Sequence, residues 1–442
     1  MSAGDREPLL PEPSLPEPSF AEPSLIEPSF VEPSSVEPSV VASSFVEPRS
    51  TPVPRDEVER RLVAFRETLR DQGIDAAVVV QNADLYYLAG TVQQSQLLVP
   101  ADGEPVLFTR KTVARAREES PLPVEPLPSL RRLGELVAER CGGAPEVVGL
   151  ELDVLPVAQF RRYENQLAGT RFVDIGPALV RQRAVKSPWE VARIAAAAAL
   201  ADEVFARIPG LLREGLTEAA FAGRVEAEAR ALGHQGVIRM RAFNGEMFYG
   251  QLLCGASGAV SSYLDTPLAG TGLSAAVAQG VSFKAIGRGE PVVFDFVPVL
   301  DGYTADFTRI FSLGELPERL AQAYACARRA QAAAAACARP GVACREVYEA
   351  ALAVARGDEL EAHFMGYGPS QVRFVGHGVG LELDELPVLS PNDLPLEQGM
   401  VFALEPKFVF PGVGAIGIEN TWTVTAAGVE RLTRAPEEIV VI

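Results

Sequence analysis

Five side chains in the last third of the chain have the types and neighbours of an oxygen-rich metal centre: Asp295, Asp306, His377, Glu405 and Glu419. Asp295 lies inside Val-Val-Phe-Asp-Phe-Val, apolar on both sides, as in a strand buried on both faces. Asp301-Gly302 then reads as a tight two-residue hairpin turn. That turn pairs Leu300 with Tyr303 and puts Asp306 opposite Val297. Asp295 and Asp306 become diagonal neighbours on one face, within reach of a common ion or ion pair. A slip of one residue would send one of them to the other face. A buried carboxylate without a partner is strongly destabilising, so a metal ion or an arginine such as Arg309 must compensate.

His377 stands between two glycines in Phe-Val-Gly-His-Gly-Val-Gly-Leu, which leaves its imidazole room to approach a site. Glu405 (Ala-Leu-Glu-Pro-Lys-Phe) and Glu419 (Gly-Ile-Glu-Asn-Thr-Trp) fall in a second strand pair. Pro411-Gly412 is the turn expected between them, with its register open. Four carboxylates and one imidazole suit Mn first, with Co, Zn or Fe as alternatives, rather than a thiolate-type zinc site. Four acids exceed the needs of one ion. Two divalent ions roughly 3.5–4 Å apart would use them all, orient a bridging water and polarise a carbonyl.

These residues need rigid elements behind them. Ser187-Pro188-Trp189-Glu190 has the spacing of a capping box and opens a long Ala-rich helix to about residue 208. Thr217 is placed to cap a second helix ending at Gly233, and further helices are expected over 317–338 and 342–355. Interleaved with strand pairs, they make an α+β domain in which helices cover a curved sheet. Upstream, Val58, Leu62, Phe65 and Leu69 form one apolar helical stripe closed by Gly73. A buried strand at 76–80, a hairpin over 96–109 and a strand at 147–152 follow. That alternation indicates a compact α/β domain over about 55–180.

Residues 12–39 repeat Glu-Pro-Ser six times at a period of five. Proline at that frequency blocks helix and sheet alike, so residues 1–54 are expected to be a disordered, partly polyproline-like tail. The tail carries −7 of the net charge of −18. The acidic balance disfavours nucleic acid and anionic membranes as partners. No apolar run reaches membrane-span length. Five scattered cysteines without CxxC spacing argue against a disulfide framework and for a cytoplasmic compartment.

With these residues in hand, the chain resembles the prolidase/Xaa-Pro aminopeptidase family of pita-bread metallopeptidases over nearly all of residues 55–442. Residues 55–182 resemble the creatinase/prolidase N-terminal domain, and Lys186-Ser-Pro-Trp-Glu-Val resembles the entry into the catalytic domain over 183–442. The resemblance implies that Asp295, Asp306, His377, Glu405 and Glu419 are the metal ligands, that Glu405 is the general base, and that the protein is a homodimer. It implies a peptidase releasing an N-terminal residue, with Xaa-Pro bonds as a substrate class.

Two departures accompany it. Asp384 stands where the family pattern Gly-Leu-Glu-x-His-Glu has a substrate-facing histidine. No histidine occurs near Ala278-Gln279, where the family has another. Asp384 as a hydrogen-bond acceptor or ammonium partner, and His363 folding back toward the site, are the expected replacements. Arg239, Arg241 and Tyr249, clustered with Glu246, are candidates for a substrate carboxylate or oxyanion. His234 is expected to cap the helix before it. The missing histidines keep two other readings open: an amidohydrolase of a small non-peptide C–N bond, as in creatinase-like members, and a non-catalytic peptide-binding protein.

Overall fold

The computed structural model describes residues 52–442. The expected tail lies outside the described residues except for its last three, and of these Val53 is already buried in the first core.

The N-terminal part is built on a six-stranded mixed sheet, in the order 124–126, 106–109, 95–100, 76–79, 147–150, 171–174. The expected hairpin is present, with Leu97 paired to Leu107. Val58, Leu62, Phe65 and Leu69 all face the core from the helix Arg55–Asp71, and Gly73 ends that helix at φ 63°. The helix Gly176–Ala184 runs across the expected boundary at residue 182 and leads into the second part.

In the second part, Ser187 accepts from Glu190 N at 3.2 Å and Glu190 reaches back to Ser187 N at 3.1 Å, so both halves of the capping box form. The helix they start runs to Leu211, three residues past the expected end, and absorbs Pro209 in its last turn. Thr217 caps Glu218–Ala231. The helices Glu318–Cys337 and Cys344–Gly357 pack on one another through buried alanines. They cover a four-stranded sheet (252–254, 292–296, 307–312, 440–441) and a five-stranded sheet (376–379, 383–388, 401–404, 420–424, 429–431).

The central hairpin has the register read from its turn. Tyr303 pairs with Leu300, and Thr308 lies opposite Asp295, so Asp306 and Asp295 share a face. Asp301 and Gly302 both have positive φ, at 49° and 84°, as such a turn requires. The second hairpin has one register from end to end. Lys407 pairs with Gly417 above a break and Leu404 with Asn420 below it. Glu405 and Glu419 therefore face one another at the break. A bridge between Thr308 and Glu419 stitches the two hairpins together at that point.

Candidate metal centre

All five sequence-expected ligands converge at this seam, and each is at most 7 % exposed. Asp306 is pinned by its own backbone, with N donating to Thr421 Oγ1 at 2.9 Å, while Phe307 N donates to its Oδ1 at 2.8 Å. Thr308 Oγ1 donates to Glu419 Oε2 at 2.7 Å. His377 comes in from the neighbouring sheet, its Nε2 at 3.7 Å from both Asp306 Oδ2 and Glu405 Oε1. Asp306, His377 and Glu419 each offer a ligand atom within 4.8 Å of the others.

A sixth residue, not foreseen from the sequence, completes the cluster. The Lys407 ammonium donates to Asp295 Oδ2 at 2.9 Å, Glu405 Oε2 at 2.5 Å and Glu419 Oε2 at 2.9 Å. It is the cation that compensates Asp295. Arg309, the alternative weighed above, turns the other way and donates to the carbonyls of Thr308 and Glu419 and to Asn420 Oδ1, all at 2.8 Å. The signal for Lys407 was in the sequence: a lysine two residues beyond Glu405, in an otherwise apolar strand, shares its face.

The electrostatics favour a further cation. Burial pushes the Asp306 carboxyl well above its usual range, and Glu419 and Asp295 add repulsion. Burial and Glu405 raise Glu419 against the pull of Lys407. Glu419 Oε1 is buried and accepts no hydrogen bond. Burial alone would lower His377, yet Asp384, Glu405 and Glu419 outweigh it and raise its pKa. Two buried carboxylates and an imidazole with ligand atoms within 4.8 Å of one another, one carboxylate keeping an unpartnered oxygen, fit one divalent ion.

The centre opens into a cavity of about 430 Å³ whose walls include Met240, Phe243, Met247 and Tyr263. Asp384 lines it too. It is half exposed, held at φ 63°, with Oδ1 at 3.4 Å from His377 Nδ1. A carboxylate on the far nitrogen of a ligand histidine orients the ring and raises its basicity. Asp384→Ala should therefore weaken metal affinity by roughly 10–100-fold, read by titration calorimetry.

The other candidates are engaged elsewhere. His363 does not fold back: its Nδ1 lies 2.8 Å from Val409 O and its ring packs on Tyr367 and Phe410. Arg241 is drawn into ion pairs with Asp84 at 2.8 Å and Asp153 at 2.5 Å. Arg239 lines a separate cavity with Tyr86 and Asp301, and Tyr249 stacks on His234 beside a third. His234 N closes its helix onto Ala229 O at 2.9 Å, and its Nε2 lies 2.9 Å from Val297 O. Gln279, near the position of the second absent histidine, donates to Glu246 O at 2.9 Å and to Tyr263 OH at 3.2 Å. It props the cavity wall.

Residues 61–185 match the description Creatinase/Prolidase N-terminal domain, and residues 192–426 match Metallopeptidase family M24. The chain is 30 % identical over 403 residues to a probable dipeptidase PepE of Mycobacterium bovis, covering 87 % of this chain and 96 % of that one. It is 26 % identical over 386 residues to an Xaa-Pro dipeptidase of Pyrococcus furiosus, covering 86 % and 100 %. The solved structure of a prolidase from Pyrococcus horikoshii superposes with a TM-score of 0.73 at 24 % identity, covering 86 % and 100 %. The fold is thus the expected one, a pita-bread domain behind a creatinase-type N-terminal domain.

Proposed function

The chain belongs to metallopeptidase family M24, and from that membership we propose that it hydrolyses an N-terminal peptide bond, with Xaa-Pro bonds as the substrate class, using a divalent ion held by Asp306, His377 and Glu419. The observation that carries this is the convergence of ligand atoms of Asp306, His377 and Glu419 within 4.8 Å of one another in the lining of the cavity, with Glu419 Oε1 buried and unpartnered. A bound divalent ion supplies Lewis acidity toward a peptide carbonyl oxygen and toward water.

The chain's own groups do the rest. Glu405 Oε2 is held by Lys407, while Oε1 faces His377 and is positioned to take a proton from water. Asp384, at the cavity wall, is suited to the N-terminal ammonium of a peptide. Met240, Met247 and Phe243 offer an apolar wall to a side chain or proline ring.

Manganese is our first choice of ion, because two of the three proposed donors are carboxylates and none is a thiolate. Five free cysteines support a reducing, cytoplasmic compartment, and no described helix is long and apolar enough to cross a membrane. Homodimerisation rests on the family resemblance. Residues 1–51 are proposed as a leader outside the catalytic unit, since neither family match reaches them and the core begins at Val53. Deleting residues 1–51 should leave kcat/KM unchanged, and a large loss would give the leader a part in activity.

The deciding experiment is turnover of a panel of Xaa-Pro dipeptides, longer Xaa-Pro-Xaa peptides and non-prolyl peptides with added Mn, with His377→Ala as control. Metal-dependent turnover separates dipeptidase from aminopeptidase use. Turnover no greater than the control would sink the peptidase reading and favour a small amide substrate or a binding role.

A further inference from the structure

The lysine inside the carboxylate cluster is built in. Lys407 pairs across the hairpin with Gly417, and a Cβ on that glycine would meet Lys407 Cγ at 2.5 Å, so the glycine makes room for the lysine stem. Its backbone is anchored by Met365 N, which donates to Lys407 O at 2.8 Å. The residue is 2 % exposed. An ammonium has three protons, and all three are given to carboxylates: Asp295, Glu405 and Glu419.

This divides the cluster in two. Asp295 faces the lysine. Asp306, His377 and Glu419 each bring a ligand atom within 4.8 Å of the others, and Glu419 Oε1 is buried without a hydrogen-bond partner. Four carboxylates against one ammonium leave three negative charges. One divalent ion balances two of them, whereas a pair would overshoot to a net positive charge. A second ion on Asp295 would also share carboxylate groups with the ammonium and be repelled by it at close range.

We propose that the centre is mononuclear, with one divalent ion on Asp306, His377 and Glu419 and the Lys407 ammonium as the permanent second cation on Asp295, Glu405 and Glu419. The proposal rests on the metal-dependent reading above and goes beyond it by fixing the number of ions and the role of Asp295.

The test is the number of manganese ions per chain in full-length protein, stripped with chelator and dialysed against MnCl2, measured by elemental mass spectrometry and by titration calorimetry. The wild type should hold one ion and Lys407→Ala two. The Mn-induced rise in Tm should be larger in Lys407→Ala, which has lost its internal cation. Asp295→Asn should still hold one ion, and the double variant should return from two to one. The Asp295→Asn arm stands by itself if Lys407→Ala does not fold. Two ions on the wild type, one on folded Lys407→Ala, or none on Asp295→Asn would each overturn the proposal. Two ions with metal-dependent hydrolysis would overturn only the mononuclear centre. No ion on the wild type, with no hydrolysis, would remove the metallopeptidase reading as well.

Discussion

Replacing His377 with alanine should lower kcat/KM by at least ~10³-fold on any substrate the wild type turns over. Lewis-acid stabilisation by a bound ion is worth several kcal/mol, and each ~1.4 kcal/mol is a factor of ten in rate. In the proposed donor set His377 is the imidazole beside two buried acids, Asp306 and Glu419. Without it the ion would rest on carboxylates alone, with one fewer bond. Metal content and kcat/KM should fall together, while the metal-free protein keeps its far-ultraviolet spectrum. The ring makes one backbone contact, at 3.3 Å to Gly378 O, so little of the fold depends on it. Lost turnover with undiminished bound metal would show instead that the imidazole acts on the substrate.

The part of this centre that could be read from the sequence is the part fixed by local rules. Asp301-Gly302 admits few turn geometries, and once the turn is set the alternation of the strands places Asp295 and Asp306 on one face. Glycines on both sides of His377 likewise announce close approach. Glu405 and Glu419 could be named but not positioned, because Pro411-Gly412 leaves the register of their hairpin open. Spacing from Glu405 already put Lys407 on that face, and the open register left only its approach to Glu419 unread. With Leu404 opposite Asn420 and Lys407 opposite Gly417, the lysine and both glutamates fall at one point. His363, Arg241 and Tyr249 are engaged away from the centre for another reason. Their sequence neighbourhoods resemble a site, but their partners are remote: Val409 for His363, Asp84 and Asp153 for Arg241, and a stacked His234 for Tyr249. The Arg241 pairs follow from the packing of the N-terminal part on the catalytic part, and the other two from the folding of the catalytic part on itself; no local pattern encodes either.

That packing carries the second large expectation. Arg183→Ala should cost roughly 3–5 kcal/mol of stability at neutral pH, the range for breaking a buried ion pair on one side. Arg183 is 3 % exposed and donates to Asp84 Oδ1 at 2.7 Å, lies 2.9 Å from Glu382 Oε2, and bonds Glu385. Its removal leaves Lys186, 3.0 Å from Glu385, and Arg241, 2.8 Å from Asp84, to balance three buried carboxylates. Burial alone would raise Glu385, but Arg183 and Lys186 overcome it and hold the carboxyl at about 2. An unfolded glutamate titrates near ~4.3, so the folded value is the lower one. The stability it contributes is present above the unfolded value and is lost as pH falls from there through the folded value. In Arg183→Ala that depression relaxes, so the gap in urea midpoint between variant and wild type should be wide at pH 7 and narrower toward pH 3. A gap independent of pH would mean that Arg183 acts by filling space. The consequence reaches the metal centre, because Glu382 and Glu385 flank Asp384, and the strand Leu383–Val388 pairs with the strand that presents His377. Loosening the charge network should therefore also weaken manganese binding in a variant whose proposed metal ligands are all intact.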